Sequence, residues 1–166
     1  MRIRRDKRGF TLIELLIVVA IIGIIVAIAI PNLLNAIQRA KQKRSMADMR
    51  SVGTAAEAYA VDTNRYPAAA AAYALPTTLT WAPSTTLASA IQTALQPTYI
   101  RTLPLKDGWN SYFLWDCPTP FQDYLIGSAG KDGSGASFVG GPTTDFNADI
   151  IFADGQFVQF PEGLQK

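Results

Sequence analysis

Near its N-terminus the chain carries an apolar stretch, residues 10–30, that is long enough to cross a membrane once. At a helical rise of about 1.5 Å per residue it measures roughly 31 Å, which matches a bilayer hydrocarbon core of about 30 Å. Its one charged residue is Glu14. An ionised side chain at membrane depth costs on the order of 2.5 to 3.5 kcal/mol, and less near the end of a span. We therefore expect a single-pass helix in which Glu14 has a partner.

The residues at the start of this stretch form a motif. They read Arg8-Gly9-Phe10-Thr11-Leu12-Ile13-Glu14, after a short basic segment and before the apolar run to Pro31. This motif resembles the leader and N-terminal helix of the type IV filament superfamily, which includes type IV pilins and type II secretion pseudopilins. The resemblance implies that a prepilin peptidase cuts between Gly9 and Phe10 and methylates the new amino group of Phe10. It also implies that Glu14 pairs with the amino terminus of a neighbouring subunit.

The alternative for this region is an ordinary signal anchor, with Glu14 at the level of the lipid headgroups. A secretory signal places small residues for cleavage after its hydrophobic stretch. Here the motif lies at the boundary between the polar and the apolar segment. The order of parts therefore favours a prepilin leader over residues 1–9 and a polymerisation helix over residues 10–30.

Charge is unevenly distributed along the chain. Residues 39–50 hold five bases and one acid, whereas residues 51–166 hold five bases and ten acids. The basic segment is suited to phospholipid headgroups or to acidic residues of neighbouring subunits, or it is simply a solvated helix face. Because both flanks of the span are basic, the positive-inside rule does not orient it. The resemblance implies a cytoplasmic leader and a globular domain in the periplasm.

The composition argues against an enzyme. The chain has no histidine, which excludes imidazole-based zinc sites and Ser-His-Asp or Cys-His catalysis. No phosphate-binding glycine motif appears in residues 127–135, and an acidic head does not favour DNA binding. A membrane-anchored enzyme or ligand-binding domain remains the alternative from another class.

Cys117 is the one cysteine, so no intramolecular disulfide forms. Many type IV pilins close a C-terminal loop with a disulfide, and its absence here favours the pseudopilin branch.

The pattern after the span predicts an α+β fold of the pilin type. Apolar residues recur every three or four positions beyond Pro31, which predicts an amphipathic continuation of the helix over residues 31–66. Turn formers from Asp62 to Pro67 end it. Residues 67–109 read as a variable loop with a short helix from about Thr86 to Leu95. The segment from Tyr99 to Asn110, which leads from this loop into the sheet, resembles the corresponding segment of major pseudopilins.

Residues 110–166 read as a small antiparallel sheet that carries an acidic loop. The expected strands are 111–115, 123–126, 150–153 and 156–160, and Asp154-Gly155 predicts a type I′ hairpin between the last two. One face of the sheet should cover the apolar stripe of the helix. The side chains assigned to that face, or else their alternates, are Tyr112, Leu114, Ile126, Ile151 and Phe157.

The acidic loop suggests a metal site. Asp145, Asn147 and Asp149 imitate the start of an EF-hand, but Ile150 replaces the required glycine and Gln156 the bidentate glutamate, so the loop is not an EF-hand. Major pseudopilins bind calcium in the corresponding loop. The resemblance implies Asp132, Asp145 and Asp149 as ligands, with Asn147 and the carbonyls near Ile126 and Ser128 as further candidates. The alternative is a solvated loop whose acids serve as turn formers.

The resemblance implies a structural rather than a catalytic function. The expected protein is the major pseudopilin of a type II secretion system, which assembles into a periplasmic filament that drives protein export. The alternative is a type IV pilin whose surface pili serve adhesion, twitching motility or DNA uptake. Either function implies the inner membrane, an assembly platform in it, prepilin peptidase, further copies of the chain and minor pseudopilins or pilins as partners. No nucleic acid is expected.

Overall fold

The structure, a computed structural model, describes residues 9–68, 91–117, 121–134, 140–163 and 165. The predictions for leader residues 1–8, for the loop over 69–90 and for the start of the short helix lie outside these residues. Of that short helix, residues 91–95 are described, and they are helical. The chain forms two compact units, Met1–Ala36 and Ile37–Lys166.

The first element is a helix of 52 residues, α1 (Leu12–Thr63), which contains Pro31. Every described side chain before residue 37 is exposed in the single chain. Among the described residues, α1 is the one helix long and apolar enough to cross a membrane. It ends where Asn64 adopts a left-handed φ of 57° and donates its amide to the carbonyl of Ala60 at 2.8 Å. Asparagine tolerates this conformation, which terminates helices.

Five short strands form one sheet in the spatial order β1-β2-β4-β5-β3. They are β1 (Leu114–Asp116), β2 (Leu125–Ser128), β3 (Gly141–Thr143), β4 (Ile150–Ala153) and β5 (Gln156–Pro161). The expectation of a purely antiparallel sheet is wrong in one respect, because β3 pairs in parallel with β5. This strand has the sequence Gly-Pro-Thr, which gives no strand signal by propensity, and proline is tolerated there because β3 lies at the sheet edge.

The predicted hairpin is confirmed. Strand β4 has the predicted bounds, and Asp154 and Gly155 both take positive φ, 46° and 81°, as a type I′ turn requires. The first two strands begin later than predicted. In place of 111–115 and 123–126 the structure has Leu114–Asp116 and Leu125–Ser128. The pairing of β1 with β2 aligns Trp115 with Ile126 and sets these bounds.

The core lies between the second part of α1 and one face of the sheet. Met49, Val52 and Ala56 of the helix belong to a buried cluster that includes Trp115 and Phe152 of the sheet. Gly53 allows the close approach, because a Cβ there would lie 2.5 Å from the ring of Phe152 and 2.8 Å from the hydroxyl of Tyr124. Helix and sheet therefore meet with no room for a side chain at this position.

The prediction of which sheet residues cover the helix is only partly correct. Ile126 belongs to the core cluster and Phe157 packs against it. Leu114 and Ile151 are buried outside that cluster, and Tyr112 is 39% exposed. An irregularity between Ile151 and Phe152, where β4 pairs with β5, shifts the register within this pair. In β1 and β4 the core residues are the alternates of the predicted ones, with Trp115 in place of Leu114 and with Ile150 and Phe152 in place of Ile151, because alternation along one strand leaves open which of its two faces packs on α1.

Candidate functional site

The predicted processing site lies at the start of the described chain. Gly9 and Phe10 are not helical and precede the first turn of α1. Both residues are exposed, and the side chain of Phe10 is 78% exposed. A peptide bond in non-helical, accessible backbone is the kind that a peptidase can reach. Cleavage between Gly9 and Phe10, and methylation of Phe10, stay predictions.

Glu14 lies on the first turn of α1 and makes a capping box with Thr11. Its Oε2 accepts a hydrogen bond from the Thr11 amide at 2.8 Å and another from the Thr11 hydroxyl at 2.6 Å. The Glu14 amide donates back to the Thr11 hydroxyl at 3.3 Å. This reciprocal pair satisfies donors that a helix N-terminus leaves open. In the single chain, the carboxylate therefore has a partner inside its own subunit.

Sequence reasoning overlooked this role of Thr11. The signal was available, since Thr-x-x-Glu before an apolar run is the sequence signature of a capping box. The pairing of Glu14 with the amino terminus of a neighbouring subunit requires a second chain and stays a prediction.

The candidate calcium ligands belong to two turns that lie against each other. The Lys131 amide donates to the carbonyl of Phe146 at 3.0 Å. Gly130 has a φ of 66°, and a Cβ there would lie 2.8 Å from the carbonyl oxygen of Asn147 and 2.9 Å from that of Ala148. Glycine at position 130 thus lets the turn that carries Asp132 approach the turn that carries Asp145.

Within these turns the carboxylates have local partners. Oδ1 of Asp132 accepts from the Ser134 amide at 3.0 Å, and Oδ1 of Asp145 accepts from the Asn147 amide at 2.9 Å. Asp149 is 5% exposed. In the part of the chain that the structure describes, no three Cys, Asp or Glu side chains are grouped so that they could hold a metal. A calcium ion would need main-chain carbonyls or Asn147 in its ligand set, and the site stays a prediction.

A second set of contacts connects the segment before the sheet to α1. The Gly108 amide donates to the hydroxyl of Ser45 at 2.9 Å, and the Trp109 indole donates to Oε1 of Gln38 at 2.7 Å. Asp107, which is 4% exposed, accepts from the amides of Trp109 and Ser111, each at 2.9 Å, and from the Ser128 hydroxyl at 2.7 Å. This segment was predicted only by resemblance, and the structure shows that Asp107, Gly108 and Trp109 fix it to α1 and to β2 by hydrogen bonds.

Comparison with known proteins yields two family matches. The profile described as "Prokaryotic N-terminal methylation motif" matches residues 4–30. The profile described as "Type II secretion system (T2SS), protein G" matches residues 32–151, which is most of the chain. No solved structure shows a significant match.

Individual relatives agree with these profiles. The "Type II secretion system core protein G" of Aeromonas hydrophila is 31% identical over 131 residues, which cover 78% of this chain and 87% of that protein. The protein of the same name from Escherichia coli K12 is 30% identical over 133 residues, covering 80% and 88%. The "Type IV major pilin protein PilA" of Myxococcus xanthus is 46% identical over 69 residues, covering 40% of this chain and 31% of that pilin. The chain therefore belongs to the type II secretion system protein G family.

Proposed function

We propose that this chain is the major pseudopilin of a type II secretion system, a structural subunit whose copies stack into a periplasmic filament that drives protein export. The observation that carries the proposal is the match to protein G over residues 32–151, directly behind a methylation motif over residues 4–30. Relatives named core protein G align with most of the chain. In this function the chain acts mechanically rather than catalytically.

The exposed apolar surface of α1 supports assembly from a membrane. In the single chain, large apolar side chains from Leu12 to Ile37 are between 41% and 82% exposed. Lipid covers such a surface before assembly, and neighbouring helices cover it afterwards. Because lipid and neighbouring helices are equally apolar, moving α1 from the bilayer into the filament gives little hydrophobic free energy. Polar contacts must then select one arrangement of helices, and Glu14 paired with the Phe10 amino group of a neighbour supplies one.

The processing and the partners of the chain follow from the same function. A prepilin peptidase cuts between Gly9 and Phe10 and methylates Phe10. The leader lies in the cytoplasm and the domain from Ile37 onward in the periplasm, so that an inner-membrane assembly platform moves subunits outward. Minor pseudopilins of the same superfamily join the filament.

We also propose that calcium orders the acidic loop. The adjoining turns around Asp132 and Asp145 support this, since the Lys131 amide and the Phe146 carbonyl connect them at 3.0 Å. Calcium takes oxygen ligands from carboxylates, amides and main-chain carbonyls in flexible geometry. A bound ion would hold the two turns together where a chain with one cysteine has no disulfide.

A type IV pilin is the second candidate, because the pilin of Myxococcus xanthus is 46% identical to this chain over 69 residues. A strain that lacks the chain separates the two functions. We expect the strain to lose export of secreted enzymes and to keep its surface pili and motility. Loss of pili or motility with normal export would support the pilin instead and would contradict the proposal.

A further inference from the structure

A basic cavity lies between α1 and the end of the chain, within the unit Ile37–Lys166. We define it by Arg39, Lys43 and Arg50 of the helix, with Gln42, Pro161 and Gln165 also in its wall. Its volume is about 380 Å³. Among the described residues, its wall includes three cationic side chains and no acidic one. The cavity is therefore suited to an anionic group.

The cations of the basic cavity have no ionic partners of their own. None of the three forms an ion pair with a described residue, whereas Arg44 nearby pairs with Asp48 at 3.6 Å. Nε of Arg39 is buried and has no hydrogen-bond acceptor in the described part of the chain. The guanidinium of Arg50 lies 4.9 Å from the centre of the Phe157 ring, which positions it without neutralising its charge. A carboxylate would supply what these groups lack.

The same chain also carries exposed acidic side chains, whose charge is opposite to that of the basic cavity. Glu57, Asp123 and Asp154 are exposed and surround Tyr124, and we call them the acidic cluster. The Tyr124 hydroxyl donates to Glu57 at 2.9 Å, and the Tyr124 amide donates to Asp154 at 2.9 Å. Burial raises the pKa of the neighbouring Tyr66, and the negative charges of the three acids raise it further. None of the three forms an ion pair with a described residue.

The spacing of these charges along α1 relates the two surfaces. Lys43, Arg50 and Glu57 follow one another at intervals of seven residues, which is about 10 Å along a helix and only about 20° short of two full turns. They therefore lie on nearly one stripe, with two cations followed by an anion. Parallel copies that are displaced by seven residues, and also rotated so that these stripes face, bring Glu57 of one copy level with Arg50 of the other.

We propose that, in the filament, the basic cavity of each copy receives the acidic cluster of a neighbouring copy, with Glu57 beside Arg50. The inference deepens the proposed function and rests on it, because it requires that copies of the chain assemble. The contact joins two different surfaces of the same chain, and such a heterologous contact extends into an open fibre rather than closing a dimer. Opposite charges across it fix the stagger of the helices more than they add affinity.

Charge reversal in the full chain tests the contact. We expect Arg50→Glu and Glu57→Arg each to lower the fraction of chain found in sheared filaments about tenfold, because like charges then face each other. The double variant should recover most of the loss. Arg44→Glu is the matched control, since Arg44 lies on the same helix outside the cavity, and its filaments should be as abundant as those of the wild type.

Cross-linking keeps the test independent of folding, because Glu57→Arg also removes the acceptor of the Tyr124 hydroxyl. Two differently tagged chains, one with Arg50→Cys and one with Glu57→Cys, are expressed together and treated with a short bis-maleimide. We expect dimers that carry both tags in filaments, and none when Arg44→Cys replaces Arg50→Cys.

The outcomes separate the two proposals. If the wild-type chain forms no filament, the proposed function fails. If it forms filaments, but Arg50→Glu behaves like Arg44→Glu and no mixed dimer appears, only the charge contact fails. The contact is also overturned if Arg50→Glu reduces the amount of chain held in anionic phosphatidylglycerol vesicles without changing assembly, because the cavity then binds phospholipid.

Discussion

Gly108 lies so close to Lys41 that no side chain fits between them. Its amide donates to Ser45 at 2.9 Å, and a Cβ on Gly108 would lie 2.8 Å from the Cα of Lys41. Helix backbone cannot give way as a flexible side chain can. We therefore expect Gly108→Ala to destabilise the globular part by about 1 to 3 kcal/mol.

Thermal unfolding of the full chain in detergent measures this loss, which should lower the Tm by several degrees. Gly23→Ala is the matched control, since a Cβ at Gly23 meets nothing within 4 Å in the single chain. An unchanged Tm in Gly108→Ala would mean that the segment can move away from α1 without cost.

The carboxylate of Asp107 also stabilises this segment by accepting hydrogen bonds. Its carboxylate accepts three hydrogen bonds, from Trp109, Ser111 and Ser128, although it is only 4% exposed. Asp107→Ala leaves the buried Ser128 hydroxyl and the half-buried amides of Trp109 and Ser111 without this acceptor, and an unsatisfied buried group costs about 1 to 3 kcal/mol. We expect its Tm to fall well below that of Asp107→Asn, which keeps one oxygen. Asp123→Ala, at an exposed acid, should melt like the wild type. Equal melting of the two Asp107 variants would contradict the assigned hydrogen bonds.

Local signals predicted one part of this fold, and contacts distant in sequence decided the rest. The helix and the Asp154-Gly155 hairpin follow from periodicity and turn chemistry within a few residues. Strand β3 forms because β5 offers it an edge, and no local preference of Gly141-Pro142-Thr143 indicates that. Which of the two faces of each strand packs on α1 is decided by the tertiary contacts of the sheet, and alternation along one strand cannot show it.

The candidate sites divide in the same way. The processing motif and Glu14 are contiguous in sequence, so the sequence alone suffices to predict them, and their roles stay predictions. The contact of Gly108 with Lys41 joins residues far apart in the chain. The basic cavity likewise joins residues 39–50 with residues 161–165, and the sequence showed only that the first of these segments is basic.

Cys117 should be inert in the folded protein. The thiol is 0% exposed, and burial, followed by the charge of Asp116, raises its pKa from 9.0 to about 11. The thiolate is the nucleophile, so a thiol reagent at pH 8 should label Cys117 only after unfolding in denaturant. Labelling of the native chain at the rate of a free thiol would contradict its burial.

The raised pKa of Cys117 also predicts a pH dependence of stability. Above pH 9 the folded state holds a proton that the unfolded state releases, so stability is full below pH 9 and falls as the pH rises to about 11. Tyr66 and Tyr124 also have raised pKa values and contribute at the alkaline end. Cys117→Ala should start from a lower Tm but lose less between pH 9 and pH 11, since the tyrosines are common to both chains. Parallel Tm curves would contradict the assignment to the thiol.

Calcium should stabilise the globular part if it holds the two acidic turns together. We expect the Tm of the full chain to rise with calcium and to fall with a chelator. A ligand at 100 times its Kd adds about 2.7 kcal/mol. Asp132→Ala, Asp145→Ala and Asp149→Ala should each weaken the response, whereas Asp62→Asn, at an acid on α1, should keep it. A Tm that does not respond to calcium or chelator would reject the site.

The capping box separates two roles of Glu14 that a single substitution usually confounds. Oε2 of Glu14 caps the helix by accepting from the Thr11 amide at 2.8 Å, and glutamine fills this position in capping boxes as well as glutamate does. Glu14→Gln therefore keeps the cap and loses only the charge. We expect it to enter the membrane at the wild-type level and to form few filaments, because no anion then meets the amino group of Phe10 in the neighbouring copy. Thr11→Ser, which keeps the hydroxyl, should assemble normally. If Glu14→Gln assembles as well as the wild type, while Glu14→Ala does not, Glu14 serves the helix end alone and polymerisation depends on other contacts.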